Sequence, residues 1–229
     1  FLKERLGLIV ASSYQKYIRG NSSDIYSTTS NPDEQQDITH RFFSNQQTRL
    51  GLHAKLDLRL SPNHKLMWYN AYMDFRNAQV RDAVSNNSQT TRFRWNRQAI
   101  MNSTLKGLHS FNDNKLNLDW SLAYGNALNE TPDNVQVNEL IINGITSVDQ
   151  NDGASRRWEH NSDKDLAGSV NIIRSFKFTK GALLDLSTGG IYRDKVRGSY
   201  FNEYHFKPYN ETKPNPRELV RGVDYNNFD

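Results

Sequence analysis

Histidine, serine, lysine and carboxylate side chains could carry out chemistry in this chain, and their spacing decides which chemistry is available. The six histidines are His40, His53, His64, His109, His160 and His205. No two of them form an HxxxH or HxH pair, the close spacings that would bring two imidazoles to one metal ion. Cysteine is absent, so thiolate ligands and disulfides are absent as well. The sequence therefore predicts no metal site.

Two segments match the SxxK spacing of acyl-transfer enzymes, from Ser13 to Lys16 and from Ser103 to Lys106. Both fall in predicted strands, where residues three positions apart lie on opposite faces. The SDN and KTG elements that accompany this motif are missing, and there is no Walker loop or GxGxxG. No pair of carboxylates stands out by position. We therefore predict no catalytic residue, no cofactor and no enzyme activity.

Arginine and tryptophan occur side by side at two places. These clusters are Arg92, Arg94 and Trp95, and Arg156, Arg157 and Trp158. Arginine beside an aromatic ring could hold an anionic chelate or stack on a sugar. The same residues would also suit a membrane rim, where arginine pairs with lipopolysaccharide phosphates and tryptophan belongs to an aromatic girdle. We favour the second interpretation, so the substrate-binding residues stay unassigned.

Residues 51–75, GLHAKLDLRLSPNHKLMWYNAYMDF, show a strict alternation. Apolar side chains stand at every second position, at Leu52, Ala54, Leu56, Leu58 and Leu60. Charged residues or histidine stand between them. A period of two predicts a β-strand with one apolar and one polar face. After a turn at residues 61–63, the pattern predicts a second strand that runs back through Phe75.

The same reading gives about seven strands and no amphipathic helix. The strands are predicted at residues 5–14, 49–60, 67–75, 92–109, 116–125, 166–172 and 182–192. Seven of their side chains are expected to share a polar face that meets a wet lumen or a plug: His53, Lys55, Asp57, Arg59, Asn117, Asp119 and Ser121. Arg174 falls on the apolar face near a strand end, where it could snorkel or mark a bulge.

The connections between these strands differ in length. Short turns are predicted at SPN (61–63), FNDN (111–114) and TKG (179–181), and long polar stretches at 20–45, 77–91, 129–163 and 207–229. Strict alternation of short and long connections is typical of an up-and-down outer-membrane barrel, with short periplasmic turns and long outer loops. Seven strands would leave open edges in lipid. Residues 1–229 are therefore expected to be a segment of one larger barrel domain.

Bulk composition is compatible with such a barrel. The chain has 229 residues, 24% of them charged, and a mean hydropathy of −0.81. No run of about 18 apolar residues could form a membrane helix, whereas a barrel needs apolar residues only at alternate positions. The net charge of +4 is scattered along the chain, so a nucleic-acid partner is not predicted.

Three segments resemble the barrel of TonB-dependent outer-membrane receptors, particularly those of Bacteroidetes-type bacteria. They are TRLGLHAKLDLRLSPNHKLMWYNAYMDF, LKGLHSFNDNKLNLDWSLAYGNALNETPDN and DLAGSVNIIRSFKFTKGALLDLSTGGIYRDKVRGSYFNEYHFKP. The resemblance covers residues 5–210. It implies a 22-stranded barrel in a Gram-negative outer membrane, closed by an N-terminal plug. Neither the plug nor the TonB box is found in this chain.

The resemblance also implies a function and partners. The function is import of a scarce, large solute, such as an iron chelate, a cobalamin, an oligosaccharide or a peptide, with energy delivered by TonB. Implied partners are outer-membrane lipid and lipopolysaccharide, the plug domain, the TonB complex and a surface lipoprotein. Two alternatives stay open at this point: a passive outer-membrane porin, and a soluble secreted β-sandwich that serves as a binding module.

Overall fold

The period-two alternation produces extended strands, and in a computed structural model of the protein these strands form one sheet. The structure describes residues 5–26, 38–113, 115–149, 153–178, 181 and 183–206. A search for a helix able to span a membrane finds none among these residues. The strands are β1 Leu6–Tyr26, β2 Ile38–Ser61, β3 His64–Val84, β4 Ser88–Phe111, β5 Leu116–Ile142, β6 Ile145–Val148, β7 Ala154–Lys177 and β8 Leu183–Phe206.

The sheet has the simplest antiparallel topology. Its order is β1-β2-β3-β4-β5-β7-β8, and the short β6 pairs only with β5. Each long strand is antiparallel to its neighbours. The predicted all-β, up-and-down architecture is therefore confirmed. The seven long strands correspond to the seven predicted ones, and β6 is an addition.

The strands are much longer than the sequence pattern indicated. The long strands have 21 to 27 residues, and most of residues 20–26, 38–45, 77–91 and 129–163 is strand instead of the expected long loops. The predicted strict alternation of short and long connections is wrong, because only residues 85–87 connect β3 to β4. Polar residues on both faces resemble a loop in composition, but a sheet surrounded by water keeps its backbone ladder without an apolar face.

The predicted short turns are confirmed where the structure describes them. Pro62 and Asn63 form the β2–β3 turn. Asn112 and Asp113 adopt positive φ values of 49° and 54°, and the backbone N–H of Lys115 donates to the carbonyl of Asn112 at 3.0 Å. Asn114, Thr179, Lys180, Ala182 and the stretch 207–229 lie outside the described residues.

The two faces of the sheet differ sharply in chemistry. We call the face that carries Leu56 the leucine face and the opposite one the polar face. Cross-strand register places Leu8, Leu56, Trp68, Leu105 and Leu122 in one row of the leucine face. Even in the middle of the sheet these side chains stay uncovered, since Leu122 is 49% exposed.

The apolar part of the leucine face has a consistent height when measured from the short turns. On β3 the first carboxylate or ammonium group is that of Asp74, ten residues from the strand end at His64. On β7 it is that of Lys164, thirteen residues from Lys177. On β8 it is that of Asp194, eleven residues from Leu183. At about 3.3 Å per residue and a tilt of about 45°, these runs span roughly 23–30 Å, close to the height of a lipid-facing band. We call this region the apolar belt.

Arg174 is the exception within the belt, as the sequence indicated. It lies on the leucine face near the turn end of β7, and its guanidinium stands over the ring of Phe176, with 5.6 Å from Cζ to the ring centroid. The β7–β8 pairing has no register shift, so the alternative of a bulge at this position is wrong. The long side chain therefore points its charge toward the turn end of the belt.

The strand ends are staggered in one direction across the sheet. His64 at the start of β3 pairs with His109, and β4 continues for two residues to Phe111. Leu116 at the start of β5 pairs with Arg174, and β7 continues for three residues to Lys177. A sheet closes into a barrel only when its strands tilt and their register is staggered in this manner. The stagger, and the single neighbour that β1 and β8 each have among the described residues, are consistent with part of a barrel wall.

Candidate functional site

The two SxxK segments are each divided between the faces of the sheet. Ser13 pairs with Gly51 on the polar face, whereas Lys16 pairs with Thr48 on the leucine face. Ser103 and Lys106 are likewise separated by the sheet. Within the described residues no three histidine, aspartate or glutamate side chains are grouped to hold a metal ion.

Two histidines that are distant in sequence form a hydrogen-bonded chain at the turn end of the leucine face. The Nδ1 atoms of His64 and His109 lie 3.1 Å apart, and the indole N–H of Trp120 donates to Nε2 of His109 at 3.0 Å. Because Nε2 of His109 accepts the Trp120 hydrogen bond, Nδ1 is the ring nitrogen left to donate to Nδ1 of His64. The arrangement fixes the three rings at the edge of the belt.

The two predicted arginine–tryptophan clusters are each divided between the faces. Trp95, Trp158 and Arg156 lie on the leucine face, beyond the apolar belt, whereas Arg92, Arg94 and Arg157 lie on the polar face. The arginines of the first cluster are therefore separated from Trp95, whereas Arg156 and Trp158 of the second cluster stay on one face. The tryptophans approach each other on one face, and three arginines contribute to the other.

Trp95 and Trp158 line a shared cavity of about 600 Å³. We call it the tryptophan pocket; its wall also includes His160, Tyr200 and Tyr204. Trp158 meets Tyr204 edge-on, with ring centroids 5.6 Å apart, and His160 stacks on Tyr200 at 5.2 Å. The pocket lies beside the β5 bulge between Thr131 and Asn134, where the register of β5 and β7 shifts.

Arg156 lines the tryptophan pocket. Its guanidinium donates two hydrogen bonds to the carboxylate of Asp133, at 2.9 and 3.0 Å, and its Cζ stands 5.0 Å from the ring centroid of Trp158. Asp133 is only 3% exposed. The charge of Arg156 is therefore already neutralised by the protein, which leaves it a structural role and little capacity to bind a free anion.

The predicted polar-face set lies together on one face as expected. His53 contacts the hydroxyl of Tyr69 at 2.9 Å, and the Asp57 carboxylate lies 2.9 Å from Lys55 Nζ and 3.5 Å from Lys65 Nζ. The hydroxyls of Ser121 and Ser169 are 2.7 Å apart across β5 and β7. Polar contacts of this kind between side chains are typical of a hydrated wall.

A ladder of ion pairs holds β8 against β7 on the polar face. Arg197 donates to both oxygens of Asp163, at 2.6 and 2.9 Å, and Lys195 Nζ lies 3.3 Å from the same carboxylate. Arg193 donates to both oxygens of Asp165. Asp163 lies just beyond the apolar belt. The hydrogen bond from Arg197, followed by that from Lys195, lowers the pKa of Asp163 to about 2.

Four arginines gather at the far end of the polar face. We call this group the arginine patch: Arg41 on β2, Arg81 on β3, and Arg92 and Arg94 on β4. Arg81 and Arg92 face each other in register. None of the four forms an ion pair within the described part of the chain. Burial, and then the positive charges of Arg81 and Arg94, lower the pKa of Arg92.

Sequence reasoning found only part of this patch. The neighbouring Trp95 marks Arg92 and Arg94 in the sequence, whereas Arg41 and Arg81 lie in stretches predicted to be long loops. Had residues 77–91 been recognised as a β-hairpin, Arg81 and Arg92 would have been placed opposite each other. The signal available was the run Asn86-Asn87, which allows a tight turn.

Comparisons with known proteins give little additional information. No family model matches the chain, and no curated protein matches it. Among solved structures, two mutants of the Rh. blastica porin are similar at 9% identity, covering 83% of this chain and 100% of the porin, with TM-scores of 0.10 and 0.09. OccK10 (OpdN) of Pseudomonas aeruginosa shows 8% identity, 87% and 98% coverage and a TM-score of 0.12. The fold assignment rests on the strand pairing described above.

Proposed function

We propose that this chain forms part of the wall of an outer-membrane β-barrel that imports a scarce, large solute as a TonB-dependent receptor. The observation that carries the proposal is the apolar belt. It occupies only the leucine face, begins at the short turns and ends after roughly the thickness of a bilayer on β3, β7 and β8. Such a band has the dimensions required for contact with lipid.

The alternative of a soluble β-sandwich needs a second sheet over the leucines. All eight strands of the described residues belong to one sheet, and large apolar side chains such as Leu52 and Leu122 stay more than 40% exposed. Apolar surface of this extent requires a cover, because soluble monomers rarely expose large contiguous apolar patches. Lipid supplies that cover along the full width of the sheet.

The polar face would then line the lumen. Unpaired backbone groups at the edges of β1 and β8 would cost several kcal/mol each in hydrocarbon. In the proposed barrel, further strands outside the described residues pair with both edges, and a plug domain packs against the hydrated polar face. Strands that continue beyond the belt would form a tall outer vestibule. Lipopolysaccharide or a lipoprotein partner would contact its rim.

The resemblance to TonB-dependent receptors supports active import over passive diffusion, while the wall itself would suit either mechanism. Two measurements separate the classes. A TonB-dependent receptor should show no steady conductance in a planar bilayer, and its solute uptake should stop when the proton gradient is dissipated. A passive porin should conduct steadily and be indifferent to an uncoupler.

Assembly in the membrane is tested with the Leu56→Arg variant. An arginine at mid-belt should cost about 2–4 kcal/mol on a lipid face and reduce the heat-modifiable form in the outer-membrane fraction. Ala71→Arg, at a nearby height on the polar face, is the matched control and should assemble normally. Equal loss in both variants, or a protein that is found in the soluble fraction, would contradict the membrane proposal.

A further inference from the structure

We propose that the arginine patch, formed by Arg41, Arg81, Arg92 and Arg94, binds the clustered carboxylate or phosphate groups of an anionic solute. The inference rests on the proposed function, because it needs the polar face to line a water-filled lumen. It narrows the substrate class to anionic solutes, and it disfavours neutral sugars and other uncharged cargo.

The first argument is the arrangement of the charges. Arg81 and Arg92 are direct cross-strand partners, and Arg94 lies on the same face of β4, opposite Gln79. Arg41 pairs with Ala83, which is two residues from Arg81 on β3, so Arg41 is a diagonal neighbour of Arg81 on the same face. Like charges directly opposite each other destabilise a sheet. An anion that bridges them would remove this repulsion.

The second argument is the chemistry of the surroundings. The neighbouring side chains on the polar face are uncharged: Phe43, Asn45, Gln79, Ala83, Thr90, Asn134, Gln136 and Asn138. Arg92 donates to the side-chain carbonyl of Gln79 at 3.1 Å, and Arg94 to that of Asn96 at 3.0 Å. Amides orient the guanidiniums without neutralising them. Arg97, Arg156, Arg193 and Arg197 differ from these four, because each donates to a carboxylate, on Asp74, Asp133, Asp165 and Asp163 respectively.

The third argument is unused donor capacity. The Nε atoms of Arg41, Arg81 and Arg92 are buried within the described structure and make no hydrogen bond. A buried guanidinium donor without an acceptor is costly, and an oxyanion supplies acceptors in the geometry that arginine prefers. The crowding that lowers the pKa of Arg92 is relieved by the same ligand. Three independent features therefore point to an anion at one location.

Calorimetry on the complete purified protein in detergent tests the proposal. Citrate and pyrophosphate are the probes, a neutral trisaccharide is the negative probe, and purified lipopolysaccharide forms a separate arm. The Arg81→Gln/Arg92→Gln variant should weaken citrate or pyrophosphate binding about tenfold or more. Arg59→Gln removes an arginine at the turn end of the same face, also without an ion pair among the described residues, and should leave affinity unchanged.

Thermal unfolding supplies a readout that does not depend on affinity alone. The anion should raise the Tm of the parent protein and of Arg59→Gln, whereas the double glutamine variant should fold without anion and show no such rise. Arg81→Lys/Arg92→Lys keeps the charge and should retain part of the effect.

The outcomes separate this inference from the proposed function. A heat-modifiable outer-membrane protein that binds neither small anion would overturn the anion site and leave the barrel intact. Equal loss of citrate or pyrophosphate binding in Arg59→Gln would also overturn it. So would a double glutamine variant that loses lipopolysaccharide binding but binds citrate and pyrophosphate as the parent protein does. A protein that binds the anions at the patch but shows uncoupler-independent uptake would retain the site and refute TonB-dependent import.

Discussion

Arg97 on β4 donates two hydrogen bonds to one oxygen of Asp74 on β3, with Nε and Nη2 at 3.0 and 2.9 Å from Oδ2. Arg76 donates to the other oxygen at 2.8 Å, and the hydroxyl of Tyr72 adds a further bond at 3.1 Å. Asp74 is 5% exposed although it lies on the leucine face. The cluster marks the height at which apolar side chains give way to charged ones on β3.

The Asp74→Asn variant should be less stable than the parent protein by about 1–2 kcal/mol. Two arginines lose their carboxylate, but both are partly exposed, so water compensates in part. The urea midpoint of refolding into lipid vesicles measures the change. Asp82→Asn, on the same strand and face but without an ion pair among the described residues, should change stability by less than about 0.5 kcal/mol. Equal effects would show that the network is not a local stabilising element.

Gly107→Val tests a close packing contact at the turn end of the belt. Gly107 pairs with Trp120, and the indole ring occupies the space that a side chain at position 107 would need. The variant should displace the ring, break its hydrogen bond to His109 and cost about 1–3 kcal/mol. Gly168→Val is the control on the same face, where the nearest atom is the Ser121 carbonyl oxygen at 3.9 Å. A normal urea midpoint for Gly107→Val would contradict this packing.

Protonation of Asp163 should loosen the β7–β8 pairing in acid. Its pKa is held at about 2 by the Arg197 hydrogen bond, below the ordinary value of 3.8. A carboxyl whose folded-state pKa is lowered stabilises the fold above the unfolded pKa, and this contribution is lost as pH falls toward the folded value. Urea midpoints of the parent and Asp163→Asn should therefore differ at pH 6 and converge between about pH 4 and pH 2.

The control for this titration is Asp185→Asn, which removes a polar-face carboxylate of β8 that has no ion pair among the described residues. Its difference from the parent should not follow the same pH course. A constant difference between the parent and Asp163→Asn down to pH 2 would show that the Arg197 contact does not stabilise the folded state.

Gly144 sets the geometry of the β5–β6 hairpin. It has φ of +76° and follows Asn143 at +51°, the pair of left-handed conformations that a two-residue hairpin turn requires. Gly144→Ala should cost about 1 kcal/mol locally, because an alanine side chain disfavours that φ. Hydrogen exchange of residues 141–146 should then become about fivefold faster.

Gly190→Ala is the matched control, since added carbons at positions 144 and 190 both meet open space and only Gly144 has a positive φ. Exchange in residues 141–146 should be unchanged in Gly190→Ala. A turn that exchanges at the parent rate in Gly144→Ala would contradict the left-handed conformation.

Sequence reasoning succeeded where alternation and turn chemistry were both strong. The leucines of residues 52–60 and the SPN turn identify a hairpin, its register and its apolar face without any structure. It failed where both faces are polar, as in residues 77–91, because composition alone does not distinguish a hydrated strand from a loop. Asn143-Gly144 is a strong hairpin signal that the predicted 129–163 loop overlooked.

The contacts that define the candidate site depend on pairing partners far apart in the chain. His64 meets His109 and Asp133 meets Arg156, at separations that no local spacing rule covers, whereas Arg81 and Arg92 meet across one hairpin. Each follows once strand order and register are known, since cross-strand partners share a face. The missing information was the true length of the strands.

The central claim is that the leucine face contacts lipid, and a spin-label scan across residues 52–60 tests it most directly. Cysteine is absent from this chain, so single cysteines can be introduced and labelled one at a time in a background without other reactive cysteines. The account predicts high oxygen and low aqueous nickel-complex accessibility at positions 52, 54, 56, 58 and 60, and the reverse at 53, 55, 57 and 59. High nickel-complex and low oxygen accessibility at positions 52, 54, 56, 58 and 60 would contradict it. Low accessibility of these positions to both reagents would contradict it as well.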